Sequence, residues 1–107
     1  AGTGPEGFDC SGFVYYLTNS LGIDFPRALA KQVKYGRSIN RDELQAGDLI
    51  FFKGNGYFNR VTHVGIYRGK DKEGIDWMIH ANHPGGSVCY QKVNYVKGYY
   101  KAKRIFR

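Results

Sequence analysis

Asp9-Cys10-Ser11-Gly12-Phe13-Val14-Tyr15-Tyr16-Leu17-Thr18-Asn19-Ser20-Leu21-Gly22 is the stretch on which the reading of this chain turns. Asp9 is a residue type that caps helix N-termini, and Gly22 is one that closes helices. Between them Phe13, Leu17 and Leu21 recur at i, i+4 and i+8, the spacing of one apolar helix stripe. A helix is therefore expected from about Cys10 to Leu21, with a cysteine in its first turn. The N–H groups of a first turn lack intrahelical acceptors and carry partial positive charge, which favours thiolate over thiol. Cys10 is thus a candidate nucleophile if a base reaches it, and the chain offers His63, His80 and His83.

Outward from that helix, Pro26 keeps Ile23-Asp24-Phe25 extended. A second helix is expected over Ala28 to Tyr35, stopping at Gly36, and Arg41 to Ala46 reads as a turn or a single helical coil before Gly47. Strand patterns then follow in series: Asp48 to Phe52, Thr62 to Tyr67, Asp76 to Ala81, Val88 to Val93 and Tyr99 to Phe106. Helices first and strands afterwards indicate an α+β fold, with N-terminal helices packed on an antiparallel sheet of about five strands. No repeat or low-complexity segment interrupts this order.

The length of 107 residues sets one domain, 1–107, with a single modest core. A hydrophobic content of 42% with 16% aromatics excludes a disordered chain. No run approaches the ~20 apolar residues of a membrane span. The sequence opens abruptly on Ala1-Gly2-Thr3-Gly4 without an initiator Met or a leader, and so reads as the excised or processed C-terminal part of a longer protein. A net charge of +7 favours polyanionic surroundings: nucleic acid, anionic lipid or the polymers of a bacterial wall. Nucleic acid is set aside for want of any recognition motif. The one dense basic stretch, Lys97, Lys101, Lys103, Arg104 and Arg107, reads as a solvated strand face with wall attachment as the alternative. Asp48 reads as a cap or turn at its strand entry.

Two cysteines are too few for a disulfide scaffold, and Cys89, in the alternating Ser87 to Val93 segment, reads as a buried strand residue. A zinc site from Cys10, His63, His80 and His83 lacks a close ligand pair, so no metal or cofactor is expected. His83, in Asn82-His83-Pro84-Gly85-Gly86, reads as a loop or substrate-rim residue. The two remaining histidines lie on strands joined by the loop from Arg68 to Gly74. If Gly69 and Gly74 face each other across it, His63 stands directly opposite His80, on one face with Cβ atoms roughly 4.5–5.5 Å apart. A cysteine peptidase needs such a set: one imidazole to take the thiol proton and return it to the leaving amine, and a polar partner to orient that ring. The Cys10 helix would then pack on the histidine face, its N–H groups doubling as oxyanion donors.

Asp9-Cys10-Ser11-Gly12-Phe13-Val14, Phe25-Pro26-Arg27, Gly47-Asp48-Leu49-Ile50-Phe51-Phe52, His63-Val64-Gly65-Ile66-Tyr67 and Ile79-His80-Ala81 occur in that order. Together they resemble the NlpC-type cell-wall peptidases, papain-like enzymes that hydrolyse peptidoglycan stem peptides, and the resemblance runs from about Gly7 to Arg107. It implies a papain-like fold with Cys10 as nucleophile, His63 as general base and His80 as the orienting third residue. It also implies that Asp9 and Ser11 form the pocket for the free amine of an L-Ala–γ-D-Glu stem, and that Arg27 lies near the substrate's acidic groups. On residues alone, Arg27 is balanced between that role and an ion pair with a surface carboxylate. The bond cut would be γ-D-Glu to meso-diaminopimelate or L-lysine.

The resemblance further implies a secreted or envelope-associated monomer whose partners are stem peptides, with anionic wall polymers as additional candidates. Alternatives are an N-acetylmuramoyl-L-alanine amidase of the same fold and an inactive, basic wall-binding module. Three departures stand out. The tyrosine usual shortly before the cysteine is expected upstream of Ala1, Ala28-Leu29 follow Pro26-Arg27 where small hydroxylated residues are usual, and the loop between the histidine strands is long.

Overall fold

A computed structural model of the chain describes residues 3–4, 7–53, 60–82 and 87–106. A short ladder of β1 (Thr3–Gly4) and β2 (Gly7–Phe8) leads into α1 (Cys10–Ser20). Asp9 caps α1 by accepting the Gly12 N–H at 2.6 Å. The helix closes as expected: Gly22 adopts φ +83°, its N–H reaches the Asn19 carbonyl, and the Ile23 N–H reaches Thr18. The buried face is Cys10, Phe13, Val14 and Thr18, with Leu17 packed alongside. Leu21, read as the third residue of the stripe, is 66% exposed because it already lies at the cap.

The second helix is shorter than expected. α2 covers only Leu29–Gln32, and the chain then tightens through i−3 bonds from Lys34 and Tyr35 before Gly36 turns it at φ +86°. That turn delivers β3 (Arg37–Ile39), a strand too brief to show as a pattern. A 3-10 turn (Arg41–Glu43) precedes β4 (Leu49–Phe52), followed by β5 (His63–Lys70), β6 (Asp76–Asn82), β7 (Ser87–Lys92), a second 3-10 turn (Val93–Tyr95) and β8 (Tyr99–Arg104). These strands form one antiparallel sheet of six, ordered β3-β8-β4-β5-β6-β7. Every side chain of β4 is buried, because this central strand is covered on both faces.

The two faces hold separate clusters. Phe13, Val14, Phe25, Leu49, Phe51, Val64 and Ala81 pack with Cys10 on the α1 side. Ile50, Phe52, Tyr67, Met78 and Val93 pack on the other. Asp48 is not a simple turn residue: it is 2% exposed, accepts the Gln45 N–H, and takes both Nε and Nη2 of Arg104 at 2.8 Å. The basic C-terminal strand is correspondingly not a solvated face throughout, since Lys103 is also buried and donates to Ser38. Cys89 is half-buried rather than buried, and neither cysteine is bonded to another. No helix among the described residues is long and apolar enough to cross a membrane.

Candidate active site

The helix start places Cys10 at 6% exposure, with α1 packed against β5 and β6. Its thiol meets the opening of β5 from two directions. Sγ donates to the Thr62 carbonyl at 4.0 Å, and the Val64 N–H points at the sulfur. Those residues flank His63 in the chain. The N–H groups of Cys10 and Ser11 also favour the thiolate, yet burial outweighs them and pushes the thiol pKa up. The expectation of a thiolate-favouring position is thus corrected: the helix-start N–H groups are present, but desolvation is the larger effect and the sulfur rests as a thiol.

His63 and His80 do meet. His63 Nε2 lies 2.7 Å from His80 Nδ1, with the rings edge to face. They are not directly opposite, however. The ladder pairs Ile66 with Ile79 and Tyr67 with Met78, then shifts at a bulge before Gly69 pairs with Trp77. Carried toward the strand start, that register sets His80 opposite Gly65, and a Cβ on Gly65 would meet the His80 Cβ at 3.5 Å. His63 is therefore one diagonal step from His80. A displacement of two residues preserves side-chain parity, so the imidazoles still share a face.

That face is not the one carrying α1. Val64 and Ala81, pleat neighbours of the histidines, pack with Cys10, whereas His63 turns toward Phe52, whose ring centroid lies 5.8 Å away. The thiol approaches the backbone on either side of His63 at the start of β5. His80 is 1% exposed, and burial lowers its pKa, keeping the ring neutral. Its Nε2 has no hydrogen-bond partner among the described residues.

The other expected site residues also gather here. Arg27 Nη2 pairs with both Asp9 carboxylate oxygens at 3.3 Å, and Nη1 donates to Ser11 Oγ at 3.0 Å. Arg27 thus makes an ion pair with one of the two residues flanking the cysteine and a hydrogen bond with the other. Gln32 carries no sequence signal, yet it is fully buried and its Nε2 donates to the carbonyls of Ser11, Pro26 and Arg27. It thereby ties the Pro26-Arg27 bend to the first turn of α1. Among the described residues no three His, Cys, Asp or Glu side chains gather as metal ligands. His83 lies outside the described residues.

The model of the NlpC/P60 family matches residues 1–106. A probable endopeptidase of Haemophilus influenzae is 37% identical, the alignment covering 97% of this chain and 63% of that protein. A gamma-D-glutamyl-L-lysine dipeptidyl-peptidase of Bacillus cereus is likewise 37% identical over 97% of this chain, but over only 31% of its own length. The chain thus spans under two thirds of either relative. Among solved structures, a Bacillus cereus NlpC/P60 protein superposes with a TM-score of 0.79 at 37% identity, covering 92% of this chain and 32% of that one. RipD of Mycobacterium tuberculosis, described as a non-catalytic NlpC/p60 domain protein adapted to peptidoglycan binding, superposes at 0.71 with 27% identity, covering 94% and 68%.

Proposed function

Because this chain belongs to the NlpC/P60 family, we propose that it is a cysteine endopeptidase of peptidoglycan. Its substrate is the stem peptide, and the bond cut joins γ-D-glutamate to meso-diaminopimelate or L-lysine. The observation that carries this reading is the contact of His63 with His80 at 2.7 Å, beside a helix-start thiol bonded to the residues flanking His63.

In this mechanism His63 Nε2–H donates to His80 Nδ1, which leaves His63 Nδ1 to accept the Cys10 proton. A neutral His80 serves this role because it accepts without competing for charge, and its burial keeps it neutral. Sulfur attacks the γ-carbonyl carbon, and the resulting oxyanion lies against first-turn N–H groups of α1. Collapse breaks the C–N bond while the His63 imidazolium protonates the departing amine. Water, deprotonated by His63, then cleaves the thioester. Proton transfer from the thiol to His63 is coupled to substrate binding, since burial keeps the resting sulfur protonated. The substrate lies outside the bacterial membrane, so the protein acts at the envelope.

RipD raises the alternative of a wall-binding module without activity. Cys10, His63 and His80 all being present favours catalysis, because binding alone requires no thiol–imidazole set. The test is digestion of defined muropeptides by this chain and by Cys10→Ser, with the new termini read by mass spectrometry. A new γ-D-glutamyl C-terminus and a new diamino acid N-terminus are expected, with turnover lost in Cys10→Ser by more than about 10³-fold. Release of the whole stem at L-alanine would assign an amidase, and binding without cleavage would assign the wall-binding module.

A further inference from the structure

Gln32 ends α2 fully buried, at a position that an apolar side chain could fill. Its backbone is already engaged, the N–H with the Ala28 carbonyl at 2.9 Å and the carbonyl with the Tyr35 N–H at 3.0 Å. The segment that carries it is held on either side by Phe25 and Tyr35, whose rings pack edge to face at 5.1 Å. From that fixed base the amide Nε2 donates to the carbonyls of Pro26 at 3.0 Å, Ser11 at 3.1 Å and Arg27 at 3.4 Å. Three acceptors converging on one atom admit only the NH2 end, so the amide has a single orientation. Its Oε1 is left buried without a partner among the described residues, which costs stability. An apolar side chain of the same length would avoid that orphan, but it would hold none of the three carbonyls.

The Ser11 carbonyl belongs to the peptide unit that joins Ser11 to Gly12, and the N–H of that unit donates to Asp9 at 2.6 Å. The planar unit is therefore held at both ends and cannot turn about the chain. Immediately before it stand the Cys10 and Ser11 N–H groups, which favour a negative sulfur. The other two carbonyls belong to the bend from which Arg27 reaches Asp9 and Ser11 Oγ. We infer that Gln32 is a positioning residue: its amide joins the Pro26-Arg27 bend to the first turn of α1 and so fixes where the Cys10 and Ser11 N–H groups point when the thiol reacts. Its effect on turnover rests on the hydrolase reading; the placement of the turn does not.

The experiment compares the unmodified chain with Gln32→Met, which keeps the length and removes the donor, and with Gln32→Glu, whose carboxyl donates only while protonated. Two quantities are read on protein shown by its urea midpoint to be folded. One is kcat and KM on a defined muropeptide; the other is the pH midpoint of iodoacetamide alkylation at Cys10, followed by mass spectrometry. Gln32→Met is expected to lower kcat about 10-fold with KM unchanged, a smaller loss than removal of a whole oxyanion donor. It should also raise the alkylation midpoint by about half a pH unit, the size of a helix-terminus effect. The kcat of Gln32→Glu relative to that of Gln32→Met should climb as the medium is acidified. An unchanged kcat, a loss carried by KM alone, or a kcat ratio that stays at one would overturn the assignment. So would an alkylation midpoint that is unmoved or that drifts down toward that of an exposed thiol. If the unmodified chain cleaves no muropeptide, the alkylation midpoint alone decides. A raised midpoint without cleavage leaves Gln32 its hold on the turn and removes the hydrolase, and cleavage with an unmoved midpoint does the reverse.

Discussion

At Cys10 two physical effects oppose each other. The first-turn N–H groups and the Val64 N–H favour a negative sulfur, while near-complete burial disfavours it, and burial is the larger. Iodoacetamide labelling of Cys10 in the unliganded protein should therefore keep rising above pH ~8.5, where an ordinary thiol is half ionised. A reactive plateau already present at pH 6 would contradict a resting thiol. His80 gives the opposite pH signature. Its folded pKa is depressed below 6.5 by burial, so the unfolded chain binds more protons as the medium is acidified. The contribution of His80 to stability is complete above pH 6.5 and is lost as pH falls toward its folded pKa. Urea midpoints at pH 7 and pH 5 should show a smaller acid loss in His80→Gln than in the unmodified chain; an equal loss would place the titration elsewhere.

Among the elements, α1 was the most legible, since its cap, its Schellman-type closure and most of its apolar face follow from residue types within one helix. The β5–β6 hairpin was legible in kind but not in register. The turn pairs Gly69 with Trp77 and not with Gly74, a slip of three residues, and the bulge between Tyr67 and Gly69 takes back one, so the net shift of two keeps the histidines on one face but sets His80 on the diagonal from His63. β3 could not be read because three residues carry no period, and it exists only because β8 offers an edge. β8 also buries the Arg104 side of a pair with Asp48, whose side chains are 16% and 3% exposed. Asp48→Ala should lower stability, read as a lower urea midpoint, by leaving that guanidinium without its counter-charge. In a double-mutant cycle with Arg104→Met, the second replacement should restore part of the loss; additive losses would show that the pair does not act as a unit.

Across the whole molecule the net charge of +7 gives the protein a positive field that draws acidic ligands. Charge steering of this kind weakens as the Debye length falls from about 30 Å at 0.01 M salt to about 8 Å at 0.15 M. Over that range kcat/KM on an acidic stem peptide should fall several-fold while kcat holds, and a salt-insensitive kcat/KM would argue against steering. By itself the sequence determined the fold class, the helix that presents Cys10 and the strands that carry His63 and His80, because caps, apolar spacing and motif order are local properties of the chain. Only the tertiary structure decided the diagonal histidine contact, the side from which the thiol approaches, and the commitment of Asp9 to Arg27 and of Asp48 to Arg104. Those depend on register, burial and which distant residues come within hydrogen-bonding distance, none of which is encoded in any single segment.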